Sequence, residues 1–479
     1  MDLNLKAILK TISLVTVLTG TLMLIPVSLS LIYHELDVTR VFSVSACIYI
    51  ITGGVIFFAA KGKRRPLKAR DRILSVNLIW ITAIILSSVP LHFATGMSLT
   101  DAVFESTSGF TTTGASVMLN LESIPESLLF WRSLTGWIGG LGILVIFISV
   151  IPMTGGGNQA ISKSDSIRSR KYYRVFFIYF LLTLGCIIFL LPTNMNLFEA
   201  VNTSLSTVST GGFTVFDKNL TGDISKYTLW VLSIFMILGS INFTSYFDLF
   251  SSRFKEVIKD LELHWYGLII LIGSVLITGN ILLNDKTDGF IDAVTRGVFS
   301  FVSMVSTTGF VSDNYSKWPT FSVMILFIAL FIGGCSASAA GGIKIYRVVI
   351  IYKLIKLNLS RRLHPTAVVA IKDEEGPMRT DFVSAVAAFI FLYIFIIFTG
   401  TLVLSAANQD LYSTLSAVVS CLGNVGSGFD AAGPLGSYNI FPGWGKLLLC
   451  FIMIAGRLEL FGFVLMTTRW FWKPDRYSA

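Results

Sequence analysis

Apolar stretches long enough to cross a bilayer recur from one end of this chain to the other, and they limit its fold more than any other feature. The segment FVSAVAAFIFLYIFIIFTGTLVL (382–404) carries no charge over its whole length, and about 20 such residues in a helix cover a hydrocarbon core of about 30 Å. Backbone inside lipid must find its own hydrogen-bond partners, so each stretch is either a helix or a strand of a closed barrel. Barrel strands alternate apolar and polar residues strictly, and these runs do not. With 53% of residues hydrophobic and 14% charged, the chain reads as an all-α integral membrane protein.

The formal charge of +9 would suit a nucleic-acid partner if the basic residues shared one surface. They lie instead in short loops between apolar runs: KGKRRPLKARDR (61–72), SKSDSIRSRKYYR (162–174), SSRFKEVIKD (251–260), KLIKLNLSRRLHP (353–365) and WKPDR (472–476). The positive-inside rule sends these loops to the cytoplasm, whereas opposite loops such as HELD (34–37) carry little positive charge. Lipid is therefore the expected surroundings, and nucleic acid is not a partner. The first apolar run continues to about Tyr33 without a small-residue cleavage site and is expected to stay as a helix.

No catalytic or metal constellation emerges. Cys47, Cys186, Cys335, Cys421 and Cys450 sit in apolar segments without ligand spacing, and His34, His92, His264 and His364 are scattered. The stretch GGGNQAISKS (155–164) lacks the G-x-x-x-x-G-K-[ST] spacing of a phosphate loop. An enzyme would need a nucleophile, a base or a metal cluster, and none is legible.

Four segments break the apolar pattern: VFESTSGFTTTGAS (103–116), LSTVSTGGFTVFD (205–217), SMVSTTGFVSDN (303–314) and CLGNVGSGFD (421–430). Each follows a short amphipathic stretch and precedes another long apolar run. Aligned on Gly114, Gly211, Gly309 and Gly428 they lie 97, 98 and 119 residues apart, the last interval lengthened by the polar linker 360–378. The spacing predicts two N-terminal helices (within 1–66) and four repeated units at 67–160, 161–256, 257–366 and 367–479. Each unit is helix, short helix, loop, helix, which gives ten spans around a centre and places both termini in the cytoplasm.

Such loops can do one job well. A permeating cation sheds its hydration shell, and a ring of backbone carbonyls replaces that shell without the tight grip of carboxylates. Glycine lets the chain aim carbonyls at an axis, and hydroxylated neighbours add oxygens. The C-termini of the short helices contribute partial negative charge. Small residues also serve simply as helix-packing surface, but four loops at near-constant spacing favour the pore.

In these loops and repeats the chain resembles the Trk/Ktr/HKT superfamily of cation transporters over essentially its full length. Its two additional N-terminal helices match the Trk-type membrane subunits. The resemblance implies a fold like a potassium channel tetramer fused into one chain, and potassium uptake through a gated pore in the plasma (bacterial inner) membrane. It assigns filter carbonyls to Thr111, Thr112, Thr113 and Gly114; Val208, Ser209, Thr210 and Gly211; Ser306, Thr307, Thr308 and Gly309; and Val425, Gly426, Ser427 and Gly428. Gly114 in place of serine favours potassium, and unit four departs most, since Gly426 makes its loop more flexible. It also implies a homodimer, cytosolic nucleotide-binding regulatory subunits of the TrkA type, and no organic cofactor bound by this chain, with K⁺ as the transported ion.

Gate candidates follow. FIGGCSASAAGGIKIYR (331–347) replaces bulky residues by small ones for about three turns, a weak helix or a close packing face. The resemblance makes it an intramembrane loop that obstructs permeation, made mobile by Gly333, Gly334, Gly341 and Gly342 and including Lys344. Arg457 is expected near the middle of the last long helix, where a charge costs at least about 2.5–3.5 kcal/mol unless it meets protein or water. Pairing with Glu459 is one explanation, weakened because i and i+2 do not share a helix face. The resemblance places Arg457 in the pore beside the unit-three loop. Asp101, Glu105, Glu199, Asp313 and Asp430 either concentrate cations at the mouth or anchor the short helices. The competing functional reading is a potassium symporter coupled to protons or sodium. Such folds usually carry inverted repeats and a midplane carboxylate, whereas these repeats run parallel.

Overall fold

The computed structural model of this chain describes residues 3–60, 68–149, 165–217, 219–222, 224–249, 259–284, 286, 289–363, 372–373, 376–378 and 380–472. Parts of every basic loop, the segment 155–164 and residues 364–371 and 374–375 of the linker 360–378 lie outside the described residues, as do the unit boundaries near 66, 160, 256 and 366.

The N-terminal run forms α1 (Leu5–Leu22) and α2 (Leu24–Ile32), separated only by Met23, and α3 (Leu36–Ala59) runs back along them. Small residues bring α1 and α3 into contact, with Gly53 against Ser13 and Val17, a packing that serves where lipid supplies no hydrophobic drive between helices. Between α2 and α3, the Glu35 carboxylate accepts the backbone N–H of Glu126 at 2.6 Å and of Ser127 at 3.3 Å. Those N–H groups open the next unit's second helix, so Glu35 caps it from outside and ties the pair to unit one.

Unit one contains α4 (Ala69–Thr95), the short α5 (Leu99–Phe110) and α6 (Glu126–Ser149). Unit two contains α7 (Asp165–Leu190), α8 (Leu197–Val208), α9 (Lys226–Ser240) and α10 (Ser245–Leu249). Unit three contains α11 (Leu261–Leu283), α12 (Phe290–Val305), α13 (Thr320–Ala329) and α14 (Ile345–Leu363). A minimal antiparallel ladder, β1 (Lys372–Asp373) with β2 (Gly376–Pro377), precedes unit four. That unit contains α15 (Thr380–Leu404), α16 (Leu411–Gly423), α17 (Gly443–Arg457), α18 (Phe461–Thr467) and α19 (Arg469–Trp472).

Three of the four short helices start where side chains cap them, and α12 starts after Gly289 without one. Ser98 accepts from the Asp101 N–H, Asn196 and Glu199 form a reciprocal capping box, and Asp410 accepts from Tyr412 and Ser413. Helix α5 packs against α4 and α6 of its own unit and against α17 of unit four. Helix α8 packs on α7, α9 and α6 of unit one, and α12 on α11, α13 and α9 of unit two. Each of these three short helices thus leans on the second helix of the preceding unit, which brings the repeats round a common centre.

Among the described residues seven helices are long and apolar enough to cross a membrane by themselves: Leu5–Ile32, Leu36–Ala59, Arg70–Thr95, Glu126–Val145, Tyr172–Leu190, Leu261–Leu283 and Thr380–Ala407. The second helices of units two, three and four are interrupted instead. Helix α9 stops at Ser240, where the Asn242 side chain accepts the N–H and hydroxyl of Thr244 and turns the chain. After α13 the backbone leaves the helix and resumes it only at Ile345. Helix α17 ends at Arg457 because Glu459 and Leu460 take left-handed φ values of 61° and 48°. Arg457 therefore stands at a helix end and not mid-helix.

Candidate functional site

The four short helices run into the four polar loops, and the loops share one backbone form. Each holds two residues of positive φ, two positions apart: Thr112 (51°) and Gly114 (77°), Thr210 (53°) and Gly212 (69°), Thr307 (58°) and Gly309 (74°), Asn424 (54°) and Gly426 (86°). The residue between them donates its N–H back to a serine carbonyl in the last turn or two of the short helix. These bonds are Thr113 to Ser108 at 2.8 Å, Gly211 to Ser206 at 2.7 Å, Thr308 to Ser303 at 3.0 Å and Val425 to Ser420 at 2.9 Å. Helix C-termini leave carbonyls without partners, and here the loop itself supplies them.

This geometry corrects the alignment on Gly114, Gly211, Gly309 and Gly428. The matching glycines are Gly114, Gly212, Gly309 and Gly426, at spacings of 98, 97 and 117 residues. In unit two the register shifts by one, because Gly211 occupies the position of Thr113, Thr308 and Val425. In unit four it shifts by two. Gly426, read from sequence as added flexibility, is the required left-handed residue, and Val208 is still the last residue of α8. Ser427 and Gly428 lie past the turn, where Ser427 Oγ donates to the Gly309 carbonyl at 2.5 Å and the Gly428 carbonyl accepts from Tyr315 Oη at 2.7 Å. A serine six residues before the glycine recurs in all four loops (Ser108, Ser206, Ser303, Ser420) and was the sequence signal that sets this register.

The loops close on one another. A Cβ added to Gly114 would overlap the carbonyl oxygen of Gly211, on Gly212 that of Thr308, on Gly309 that of Val425, and on Gly426 that of Thr113. The contacts run from unit one to two, three, four and back to one. Four equivalent carbonyls, of Thr113, Gly211, Thr308 and Val425, thus lie in a ring packed edge to glycine. Only a residue without Cβ fits both the φ and the neighbour.

Side chains differentiate the units. Thr111 Oγ1 and Thr113 Oγ1 share a hydrogen bond at 2.7 Å in unit one, as do Ser306 Oγ and Thr308 Oγ1 at 2.8 Å in unit three. In unit two, Ser209 Oγ bonds the Ser206 carbonyl at 3.3 Å. Unit four substitutes Asn424 for the threonine found at 112, 210 and 307, and its Nδ2 reaches Thr113 Oγ1 at 3.1 Å and the Met453 carbonyl at 3.0 Å. Thr112 Oγ1, Thr210 Oγ1 and Asn424 Oδ1 are buried oxygens without a hydrogen-bond partner among the described residues. Such atoms call for an explanation.

The carboxylates near the loops are all engaged. Glu105 is buried and accepts from Arg132 Nε at 2.7 Å, Ser116 Oγ at 2.9 Å and Val117 N at 3.1 Å, so it fixes the chain leaving Gly114. Asp101 accepts from Lys446 at 2.5 Å, Glu199 from the Asn196 N–H at 2.9 Å, Asp313 from Arg296 at 2.8 Å, and Asp430 from Ser413 at 3.4 Å. Of the two roles considered for these residues, the contacts are those of anchors.

Segment 331–344 packs against the loops. It is closed at its neck by Gly333 N to Ile343 O at 2.9 Å and Ile343 N to Phe331 O at 3.1 Å, and Gly342 takes a φ of 64° beside Gly333. Gly341 donates to Thr307 Oγ1 at 2.7 Å and abuts the Gly423 carbonyl and Asn424. Gly334 lies against Ser240, whose carbonyl accepts the Cys335 N–H at 2.9 Å. Lys344 is buried and bonds the Ala340 carbonyl within its own segment. Arg457 donates to the Ala339 carbonyl at 2.7 Å and to the Gly139 carbonyl at 3.4 Å, so one guanidinium joins units one, three and four. Among the described residues Glu459 pairs with Arg347 and not with Arg457.

Comparison with known proteins adds an independent line. The family model described as TrkH, cation transport protein, matches residues 39–470. The Trk system potassium uptake protein TrkH of Salmonella typhimurium is 29% identical over 486 aligned positions, covering 98% of this chain and all of that protein. The Trk system potassium uptake protein TrkG of Escherichia coli K12 is 31% identical, covering 94% of this chain and 95% of its own length. The crystal structure of the potassium transporter TrkH from Vibrio parahaemolyticus superposes with a TM-score of 0.92 at 29% identity, over 98% of this chain and 100% of that one.

Proposed function

The chain belongs to the TrkH family of cation transport proteins, and on that premise we propose that it takes up potassium through a gated, channel-like pore whose selectivity filter is the four-loop ring. The single observation that carries this reading is the closed set of contacts from Gly114, Gly212, Gly309 and Gly426 to the neighbouring carbonyls. A carbonyl ring trades a cation's hydration for fixed dipoles, and it binds weakly enough to let the ion leave. The buried, partnerless oxygens of Thr112, Thr210 and Asn424 add ligands at the same centre. The C-termini of α5, α8, α12 and α16 supply partial negative charge.

Segment 331–344 is the gate in this reading. Arg457 of unit four holds it through the Ala339 carbonyl, and Thr307 joins it to the filter. The four repeats act as pore units with the two N-terminal helices outside them, in a plasma (bacterial inner) membrane with both termini cytoplasmic. A homodimer that docks TrkA-type nucleotide-binding subunits on its basic cytoplasmic loops completes the assembly. The chain holds no organic cofactor in this scheme, and K⁺ is cargo.

The test is cation flux into liposomes carrying the purified protein, comparing K⁺, Na⁺ and an impermeant cation with and without a proton gradient. Downhill K⁺ flux indifferent to that gradient is the expected result. Flux that requires the proton gradient or a sodium gradient overturns the pore in favour of a symporter.

A further inference from the structure

Glu262 is a buried carboxylate that neither the carbonyl ring nor the Arg457 contact uses. It lies in the first turn of α11, the first helix of unit three, where Asp260 caps the helix by accepting the Glu262 N–H at 2.8 Å. One of its oxygens, Oε1, accepts three hydrogen bonds: from the Ser336 N–H at 2.7 Å, Ser336 Oγ at 3.0 Å and the Tyr346 N–H at 3.1 Å. Ser336 lies near the start of the non-helical segment 331–344, and Tyr346 is the second residue of α14, just past its end. The N–H groups of a first helical turn have no partner in their own helix, so Glu262 caps α14 from a different helix while gripping the far shoulder of the same segment.

We propose that Glu262 is the positioning residue that latches segment 331–344 across the pore, so that displacement of the first turn of α11 releases both shoulders at once. The inference rests on the pore reading given above. Its physical basis is economy of contact. The neck bonds of the segment are internal and travel with it, whereas the Glu262 bonds run between α11 and the segment and break when the two separate. They are charge-assisted, roughly twice as strong as neutral ones. Two of the three donors are backbone N–H groups, which a side-chain substitution in the segment does not remove.

A native reporter stands next to the latch. Cys335 precedes Ser336 and is 2% exposed, so its modification by a small water-soluble maleimide, read by peptide mapping, follows release of the segment without reference to ion flux. In reconstituted full-length protein, Glu262→Ala is expected to raise the Cys335 modification rate about tenfold, the factor set by about 1.4 kcal/mol of lost bonding. K⁺ flux rises in parallel, with the melting temperature near that of the parent. Glu262→Gln keeps an acceptor oxygen without the charge and is expected to give a smaller rise, about threefold, which decides the matter if the alanine variant does not fold. Cys335 protected as in the parent in a folded variant overturns the latch. Cys335 released while neither parent nor variant passes K⁺ sustains the latch and overturns the pore.

Discussion

Two kinds of non-helical backbone meet inside this protein, and they are held in opposite ways. Each of the four loops is fixed within its own unit by a backbone bond to a serine carbonyl, and the ring then closes through glycines that touch the next loop. Segment 331–344 is shaped by its own neck but placed by contacts from units two and four and from the first helix of its own unit. Gly239 and Ser240 of unit two accept the Ala339 and Cys335 N–H groups, Arg457 of unit four holds the Ala339 carbonyl, and Glu262 of α11 holds both shoulders. In the gating proposed above, the loops keep their form when the units shift, while the segment follows whichever unit moves. A selective site needs the first property and a gate needs the second.

The strongest way to break this contrast is at the ring. Gly426→Ala forces a left-handed residue to carry a Cβ, at about 1–2 kcal/mol, and drives it into the Thr113 carbonyl. Selective K⁺ flux should be lost, and Gly212→Ala should do the same against the Thr308 carbonyl. Gly428→Ala meets only Ala432 and Ser416 of its own unit at 2.9 Å or more and should retain measurable K⁺ preference. Equal loss in Gly426→Ala and Gly428→Ala would sink the revised register.

Arg457→Ala attacks the segment and leaves the ring intact. One charge-assisted bond of about 1.5–3 kcal/mol disappears, so flux through the parent-like filter should rise about tenfold or more with the K⁺/Na⁺ ratio unchanged. A ratio that falls with the rise in flux would mean that the segment also shapes the filter. The smallest effect is expected at the joint between the two regions. Thr307→Val leaves the Gly341 N–H without its acceptor, so flux should rise a few-fold in the same liposome assay, and Thr307→Ser should restore parent behaviour. Failure of serine to rescue would remove the Thr307 hydroxyl as the connection.

How much of this was legible varies by residue. The four loops, the short helices before them and the breakable stretch after α13 stood out because apolar periodicity fails there. Gly212 and Gly426 did not, since sequence offers two glycines in each of those loops and no reason to choose. The recurring serine six residues upstream resolves the choice only once its carbonyl is seen to accept the loop N–H. Glu262 was invisible for a different reason. It stands 74 positions from Ser336 and 84 from Tyr346, in a polar helix start that reads as an ordinary capped terminus. Arg457 was recognised as costly, but its helix ends there because of two left-handed residues, Glu459 and Leu460, that propensity alone would keep helical.

The sequence by itself determined that the chain lies in a membrane, that it is helical, and that one unit recurs four times, because each of these follows from the local demand that lipid places on backbone and side chains. Only the tertiary structure decided which glycine faces which carbonyl, which carboxylate grips segment 331–344 and which arginine crosses to it. Those contacts join residues far apart in the chain, and their geometry is set by how the units close round a common centre.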